Sequence, residues 1–402
     1  MGHATTEPTA LRLARRPRAQ PRSAAPAGPQ AVADSPRGTV AFYGGNARAK
    51  GSDHDRRTKA AVARGLADLL GLGYAGEFVA GERPAGPLYI VPAETLGPQD
   101  DLAALGIEGE ADFFGGYVPH AFIASKLITH PLVRAGAAAP AGWSRAHGAA
   151  LRGAVLPGRS VFSAADARRA ADELLALGPV RLKDPAGVGG AGQWVVNDRA
   201  ELEQHLERLG PQALGNGLVL EQNLNRVTTC SVGQVRVGPW LASYYGTQRL
   251  TRNGRGHEVY GGSTLTVMLG GLETLPARAP DEPTRTAVRQ ALRYHRSAFR
   301  HFPGLIASRC NYDVVQGVDD AGRWHSGVLE QSWRIGGASG AEIAALLAFR
   351  AEPGLRAVRA STCELYGAAA AAPAGARILF DGADQHGDRL VKYVEVHTDV
   401  DP

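Results

Sequence analysis

Apolar residues recur along the chain at two spacings, and the switches between them outline its elements. Residues 38–43 (GTVAFY) and 87–92 (PLYIVP) are short, nearly unbroken apolar runs bounded by glycine and proline, the mark of buried strands. Between them Ala61, Val62, Leu66 and Leu69 stand at helical spacing. This predicts a helix over 53–70 with Asp53 as its N-cap. Strand, helix and strand in this order predict a small α/β unit over 38–117. Gly44-Gly45 after the first strand lacks the spacing of a dinucleotide loop and reads as a turn.

Further along, 119–135 reads as a helix carrying Lys126 and His130 and ending near Pro131. Residues 155–162 are extended, and 164–177 form an amphipathic helix stopped by Gly178-Pro179. Short strands are predicted at 180–183, 193–196 and 217–221, with a helix over 199–209 capped by Asp198. Antiparallel strands follow at 231–237 and 241–245, then a polar loop over 244–262. A helix at 284–300, strands at 307–315 and 327–330 and a helix at 341–350 come next. An Ala/Gly/Pro-rich linker at 365–377 precedes closing strands at 377–380 and 390–397. The order predicts an α/β (α+β) protein without internal repeats.

The densest chemical signal is Lys183-x3-Gly187-x-Gly189-Gly190-x-Gly192 between two predicted strands. Four glycines in six residues let the backbone approach an anion closely, and the lysine offers a point charge to a phosphate oxygen. The run is not a Walker loop, and no helix follows it as in a Rossmann turn. A flexible hairpin turn is the alternative. Some thirty residues on, 218–224 (LVLEQNL) passes from a strand into a polar segment whose backbone could hold an adenine edge. Asn311-x-Asp313 and Glu330-x-Ser332-x-Arg334 lie on two predicted strands, where residues i and i+2 share a face. Asp313, Glu330 and Ser332 would then present hard oxygen ligands to Mg²⁺.

In this order the parts resemble the ATP-grasp superfamily over roughly 119–345. The resemblance rests on Lys126, on Lys183 with the glycine loop, on 221–224, and on the set Asp313, Glu330, Ser332 and Arg334. It points to an uncharacterised bacterial branch. It implies an ATP-grasp fold of two α+β subdomains clamping ATP, at 118–217 and 218–402, preceded by the α/β domain at 38–117 and a tail at 1–37. It also implies that Lys126 and Lys183 contact the nucleotide phosphates and that Gly187, Gly189, Gly190 and Gly192 close over them as a lid. Glu221 and Leu224 would hold adenine, and Asp313 and Glu330, assisted by Ser332, would bind Mg²⁺ or Mn²⁺. Arg334, with Lys183, would serve the transferring phosphoryl group. The family's pattern is Glu-x-Asn-x-Arg, and serine, a weaker ligand, stands here at its centre.

The implied activity is that of an ATP-dependent carboxylate–amine (or thiol) ligase acting through an acyl phosphate. Small molecules would be its partners, and a homo-oligomer is left open. A carboxylase-like or kinase-like enzyme, or a non-catalytic ATP sensor or scaffold, is the alternative; no Met-Lys biotinylation motif occurs. Arg249, Arg252, Arg255 and His257 in the predicted polar loop are candidates for recognising an acidic substrate.

Charge sharpens this picture. The net charge is +5, and residues 1–37 hold six arginines against Glu7 and Asp34, so the remainder is nearly neutral. That Pro/Ala/Arg-rich segment reads as a disordered, solvated leader without a secretory apolar run; weak anchoring to nucleic acid or anionic lipid is the alternative. Only five of 44 basic residues are lysine, namely Lys50, Lys59, Lys126, Lys183 and Lys392. Where arginine serves as the general cation, a retained lysine marks chemistry that needs an ammonium. No apolar run approaches the roughly 18 residues of a membrane helix. Cys230, Cys310 and Cys363 lack CxxC spacing. A soluble, cytoplasmic protein with neither membrane nor nucleic acid as partner is expected.

Overall fold

The computed structural model describes residues 38–45, 52–79, 81, 84, 86–187 and 192–398. The basic N-terminal segment, Lys50, Gly189 and Gly190 lie outside the described residues.

The strands β1 (Thr39–Tyr43), β2 (Gly73–Glu77) and β3 (Leu88–Pro92) form a parallel sheet in the order β2-β1-β3. Parallel neighbours need a crossover, and α1 (Asp53–Leu70) supplies the first. Its cap is Ser52, one residue before the expected Asp53. The Ser52 hydroxyl accepts from the Asp55 N–H at 3.3 Å, while Asp53 lies in the first turn, where a negative charge suits the helix dipole. Val62, Ala63, Leu66 and Leu69 form the buried face, and Lys59 continues that face one turn earlier.

The short strand β4 (Gly116–Tyr117) follows, but no continuous helix over 119–135 does. Two 3-10 turns, Ala121–Ala124 and Lys126–Thr129, stand in its place. Ser125 between them is extended (φ −115°, ψ 166°), and its hydroxyl caps the second turn by accepting from the Leu127 N–H. The apolar spacing there reflects burial of two short turns rather than one helix face.

After α2 (Arg145–Ala150) come β5 (Gly158–Val161), α3 (Ala164–Leu175), β6 (Val180–Lys183), β7 (Gln193–Val196), α4 (Arg199–Gly215) and β8 (Leu218–Gln222). The four strands pair antiparallel in the order β5-β8-β6-β7. Ala170, Leu174, Leu182, Leu202 and Leu220 form the core beneath α3 and α4.

The largest sheet is built from β9 (Asn225–Val237), β10 (Trp240–Arg252), β11 (Glu258–Leu269), β13 (Arg309–Val318), β14 (Trp324–Ser332), β15 (Ala357–Tyr366), β16 (Arg377–Ala383) and β17 (Arg389–His397). Its order is β14-β13-β9-β10-β11-β15-β17-β16. The short β12 (Ile306–Ala307) pairs with β4. Alternation along the strands gives this sheet two apolar faces. Val232, Tyr312 and Val314 pack with α5 (Glu282–His301) on one face. Val235, Val267 and Val358 pack on the other with α1 and α6 (Ser339–Ala351), in a core that reaches Val40 and Phe42 of β1. No described helix is long and apolar enough to cross a membrane.

The expected polar loop at 244–262 is instead the far half of the β10–β11 hairpin. Thr247↔Thr264 through Arg252↔Glu258 pair across it, and only 253–257 turn.

Candidate functional site

Strand alternation on the α1/α6 side of the large sheet leaves a cavity of about 540 Å³ between that sheet, β6–β8 and helix α1. Lys126, Lys183, Glu221, Leu224, Asp313, Glu330, Ser332 and Arg334 all line it. Gly187 and Gly192 form the base of the glycine loop. The Asp184 N–H donates to the Gly192 carbonyl at 2.8 Å, and the Gly187 N–H to that of Asp184 at 3.0 Å. Gly192 has φ +69°, and a Cβ there would lie 3.0 Å from that of Asp184, so this neck requires glycine.

Lys126 joins the two sides of the cavity. Its Nζ donates to the Gly187 carbonyl at 2.6 Å and lies 3.2 Å from Glu330 Oε2. Lys183 Nζ is 2.5 Å from Glu221 Oε1, and His130 Nε2 is 3.1 Å from Glu221 Oε2; all three residues are buried. Burial pushes the Glu221 carboxyl up, but the Lys183 ammonium and the His130 hydrogen bond outweigh it and hold the group at about 2. Glu221 therefore stays ionised and fixes the Lys183 ammonium, with one carboxylate oxygen on Lys183 and the other on His130. Leu224, Leu156 and Val315, with Leu329 against them, make an apolar bay in the same cavity.

Asp313 and Glu330 are cross-strand partners, as are Asn311 and Ser332, so the four side chains share one face. Asp313 Oδ1 accepts from Gln248 Nε2 and from Asn311 Nδ2, each at 2.8 Å. Burial, and next the negative charge of Glu330, raise the Asp313 carboxyl above its ordinary value. The hard oxygens of two facing carboxylates are of the kind that fit Mg²⁺. Among the described residues no group of three or more His, Cys, Asp or Glu side chains could hold a metal. A magnesium ion at this pair therefore needs phosphate and water oxygens to complete its shell.

Arg309, absent from the expected set, lines the cavity and is fully buried. It forks onto Glu342 of α6 at 2.7–3.2 Å and donates to the Arg334 carbonyl at 2.7 Å and the Ser332 carbonyl at 3.2 Å. This anchors the end of β14. The available signal was a lone glutamate in the otherwise apolar stretch of α6. Lys59 and Lys392 line the cavity too, so four of the five lysines meet there.

Arg249, Arg252, Arg255 and His257 are not among the lining residues. Arg249 turns away and donates to the Gly261 carbonyl, whereas its neighbours Gln248 and Leu250 face inward. The Arg255 and His257 N–H groups close the hairpin tip by donating to Asn253 Oδ1. Trp333 is core, and Trp194 lies against His205 outside the cavity lining.

A family model described as "Protein of unknown function (DUF3182)" matches residues 42–394. No curated protein matches the sequence. Among solved structures, the chain is similar to the biotin carboxylase domain of Hydrogenobacter thermophilus 2-oxoglutarate carboxylase, a dimer in complex with MgADP, ADP and bicarbonate. Identity is 12%, coverage 90% of this chain and 87% of that chain, and the TM-score 0.51. The Staphylococcus aureus N5-carboxyaminoimidazole synthetase complexed with ADP is 14% identical over 90% and 94% of the two chains, with a TM-score of 0.46. D-alanyl-alanine synthetase A of Vibrio cholerae is 12% identical over 74% and 89%, also at 0.46. At such identity the likeness is one of fold, and the fold is ATP-grasp.

Proposed function

The chain belongs to the family of proteins of unknown function DUF3182, and from its ATP-grasp fold and the residues that line its cavity we propose an ATP- and magnesium-dependent ligase that activates a carboxylate as an acyl phosphate for attack by an amine or similar nucleophile. The observation that carries this reading is the position of Lys126. Its ammonium bridges the start of the glycine loop and Glu330 inside a cavity shared with Lys183, Asp313 and Arg334.

In this reading adenine occupies the bay at Leu156, Leu224 and Val315. Lys126 and Lys183 take phosphate oxygens, and Glu221 holds Lys183 in position. The loop carrying Gly187, Gly189, Gly190 and Gly192 serves as the lid over the phosphates, since a backbone without Cβ atoms can approach an anion closely. Asp313, Glu330 and Ser332 would hold Mg²⁺ or Mn²⁺, which would neutralise phosphate charge. Arg334, its backbone fixed by Arg309, steadies the transferring group. A substrate carboxylate oxygen attacks the γ-phosphorus, and the bond to the bridging oxygen breaks, releasing ADP. The amine nitrogen then attacks the acyl carbon, the C–O bond to phosphate breaks, and phosphate leaves with the amine's proton. The three buried free cysteines suit a reducing cytoplasm.

ADP release from ATP and Mg²⁺ over a panel of carboxylates paired with amines tests the reading. Turnover is expected on at least one pair. Glu330→Gln should keep metal-free nucleotide affinity within about threefold and lose at least about 100-fold in Mg²⁺-dependent turnover, the scale of removing one preorganised charge interaction. Nucleotide binding with no ADP release on any pair would favour a sensor; unimpaired turnover in Glu330→Gln would overturn the metal assignment.

A further inference from the structure

Polar residues cross the cavity floor strand by strand. They run from Asp313 on β13 through Ser231 on β9 and Gln248 on β10 to Ser263 on β11 and Thr362 on β15. Gln248 and Ser263 are cross-strand partners, and the Ser263 N–H donates to Thr362 Oγ1 at 3.1 Å. Two residues beyond Thr362 is Glu364, whose cross-strand partner on β17 is Lys392. Four strand spacings separate β13 from β15, about 19 Å measured along the sheet. A nucleotide clamped at Lys126, Lys183 and Asp313 thus leaves a second end of the same cavity.

That end is dense in charge. Lys392 Nζ lies 2.9 Å from Glu364 Oε1, with side-chain exposures of 9% and 15%. Lys59 Nζ, on a side chain 10% exposed, lies 3.0 Å from Asp55 Oδ2 and 3.5 Å from Glu94 Oε1. Glu94 also meets Arg334 Nε at 3.1 Å, which links this end to the residue just past β14 read above as serving phosphoryl transfer. Burial raises the Glu364 carboxyl, Lys392 pulls it down, and the charge of Asp55 pushes it up again, so the two clusters are electrostatically in contact. A buried Lys–Glu pair adds little stability over apolar residues of the same volume. This chain otherwise prefers arginine for its cations. Stability is therefore a weak account of why two buried lysines stand here.

We propose that the cavity end formed by Lys59 and Asp55 of α1 with Glu364 of β15 and Lys392 of β17 is a subsite for a zwitterionic amino-acid group. The substrate's carboxylate goes to the two ammonium groups, and its ammonium to the carboxylates. The balance of the cluster selects both signs at once. A ligand bearing only a carboxylate takes Lys392 from Glu364 and strands a buried anion; one bearing only an amine strands the lysine. A zwitterion inserts into the pair and leaves both charges matched. The subsite rests on the ligase reading for its role as second-substrate site, and its occupancy is measurable separately.

The test is calorimetric titration of the full chain with the twenty L-amino acids, each with its N-acetyl and carboxamide derivatives, with and without saturating MgADP. At least one amino acid should bind, and both of its derivatives at least tenfold more weakly. Lys392→Met and Glu364→Gln should each weaken that amino acid at least tenfold while MgADP affinity stays within twofold. The double variant Lys392→Met with Glu364→Leu leaves no buried charge unpaired, so it guards against misfolding and should also lose the amino acid. Equal binding of a derivative lacking one charge, tighter binding of a simple dicarboxylate, retention by the double variant, or no binding by a protein that takes up MgADP would overturn the subsite. Failure to bind MgADP, by contrast, overturns the ligase reading, and the amino-acid titrations still decide the subsite.

Discussion

Lys183 and Glu221 hold opposite charges 2.5 Å apart with almost no solvent, and His130 closes the other side of the carboxylate. Removing one charge strands the other, at a cost of about 3–5 kcal/mol. Lys183→Ala is therefore expected to lower stability by that amount in urea denaturation and to lose ADP affinity at least tenfold. Lys183→Met combined with Glu221→Leu separates the two effects: stability should return while nucleotide affinity stays lost. Recovery of ADP binding in the double variant would argue against the phosphate role of Lys183. At this scale the sequence was informative through scarcity. Lysine is rare in the chain, and its four described copies meet in one cavity. Arg309 gave no such signal, because one arginine among many looks alike until its guanidinium is found locked on Glu342.

Among elements, those with a strong period were legible and those set by packing were not. The helices α1, α3 and α5 and the strands around Lys183 follow directly from apolar spacing. The predicted helix over 119–135 failed because two buried 3-10 turns mimic helical spacing. The loop over 244–262 failed because an exposed hairpin carries polar residues on both faces, which hides alternation. β15 was passed over altogether, although it joins β11 to the closing strands. The helix α4 extends past its predicted end through a kink at Gly210 (φ 73°, ψ 164°) and Pro211. That backbone region is essentially reserved for glycine, so Gly210→Ala should cost about 1–3 kcal/mol. A lowered urea midpoint with unaltered ADP affinity checks this, and an unshifted midpoint would contradict it.

For the whole molecule, acid stability rests on histidines buried between layers. His147 of α2 packs against Tyr294 and Phe302, and its Nδ1 shares a hydrogen bond with Ser297 Oγ at 2.8 Å. Burial, reinforced by nearby His301, lowers it to about 4 from the ordinary 6.5. The unfolded chain then takes up the proton first. The His147 contribution is neutral above pH 6.5 and turns unfavourable as pH falls toward about 4, at up to about 1.4 kcal/mol per pH unit. Urea unfolding at pH 7, 6 and 5 should show the decline. His147→Gln should flatten it between pH 6 and 5, whereas an unchanged slope would exclude His147 as a source.

The sequence by itself determined the α/β class, the glycine run after Lys183 and the i, i+2 sets Asn311-x-Asp313 and Glu330-x-Ser332. Each depends on spacing within a few residues, which chain geometry fixes locally. Only the tertiary structure decided what shares the cavity. Lys59 near one end of the described chain and Lys392 near the other come together because α1 and α6 pack on the same sheet face that β15 and β17 extend. Such long-range contacts are chosen by burial of apolar faces, and no local spacing encodes which charged side chains those faces carry with them.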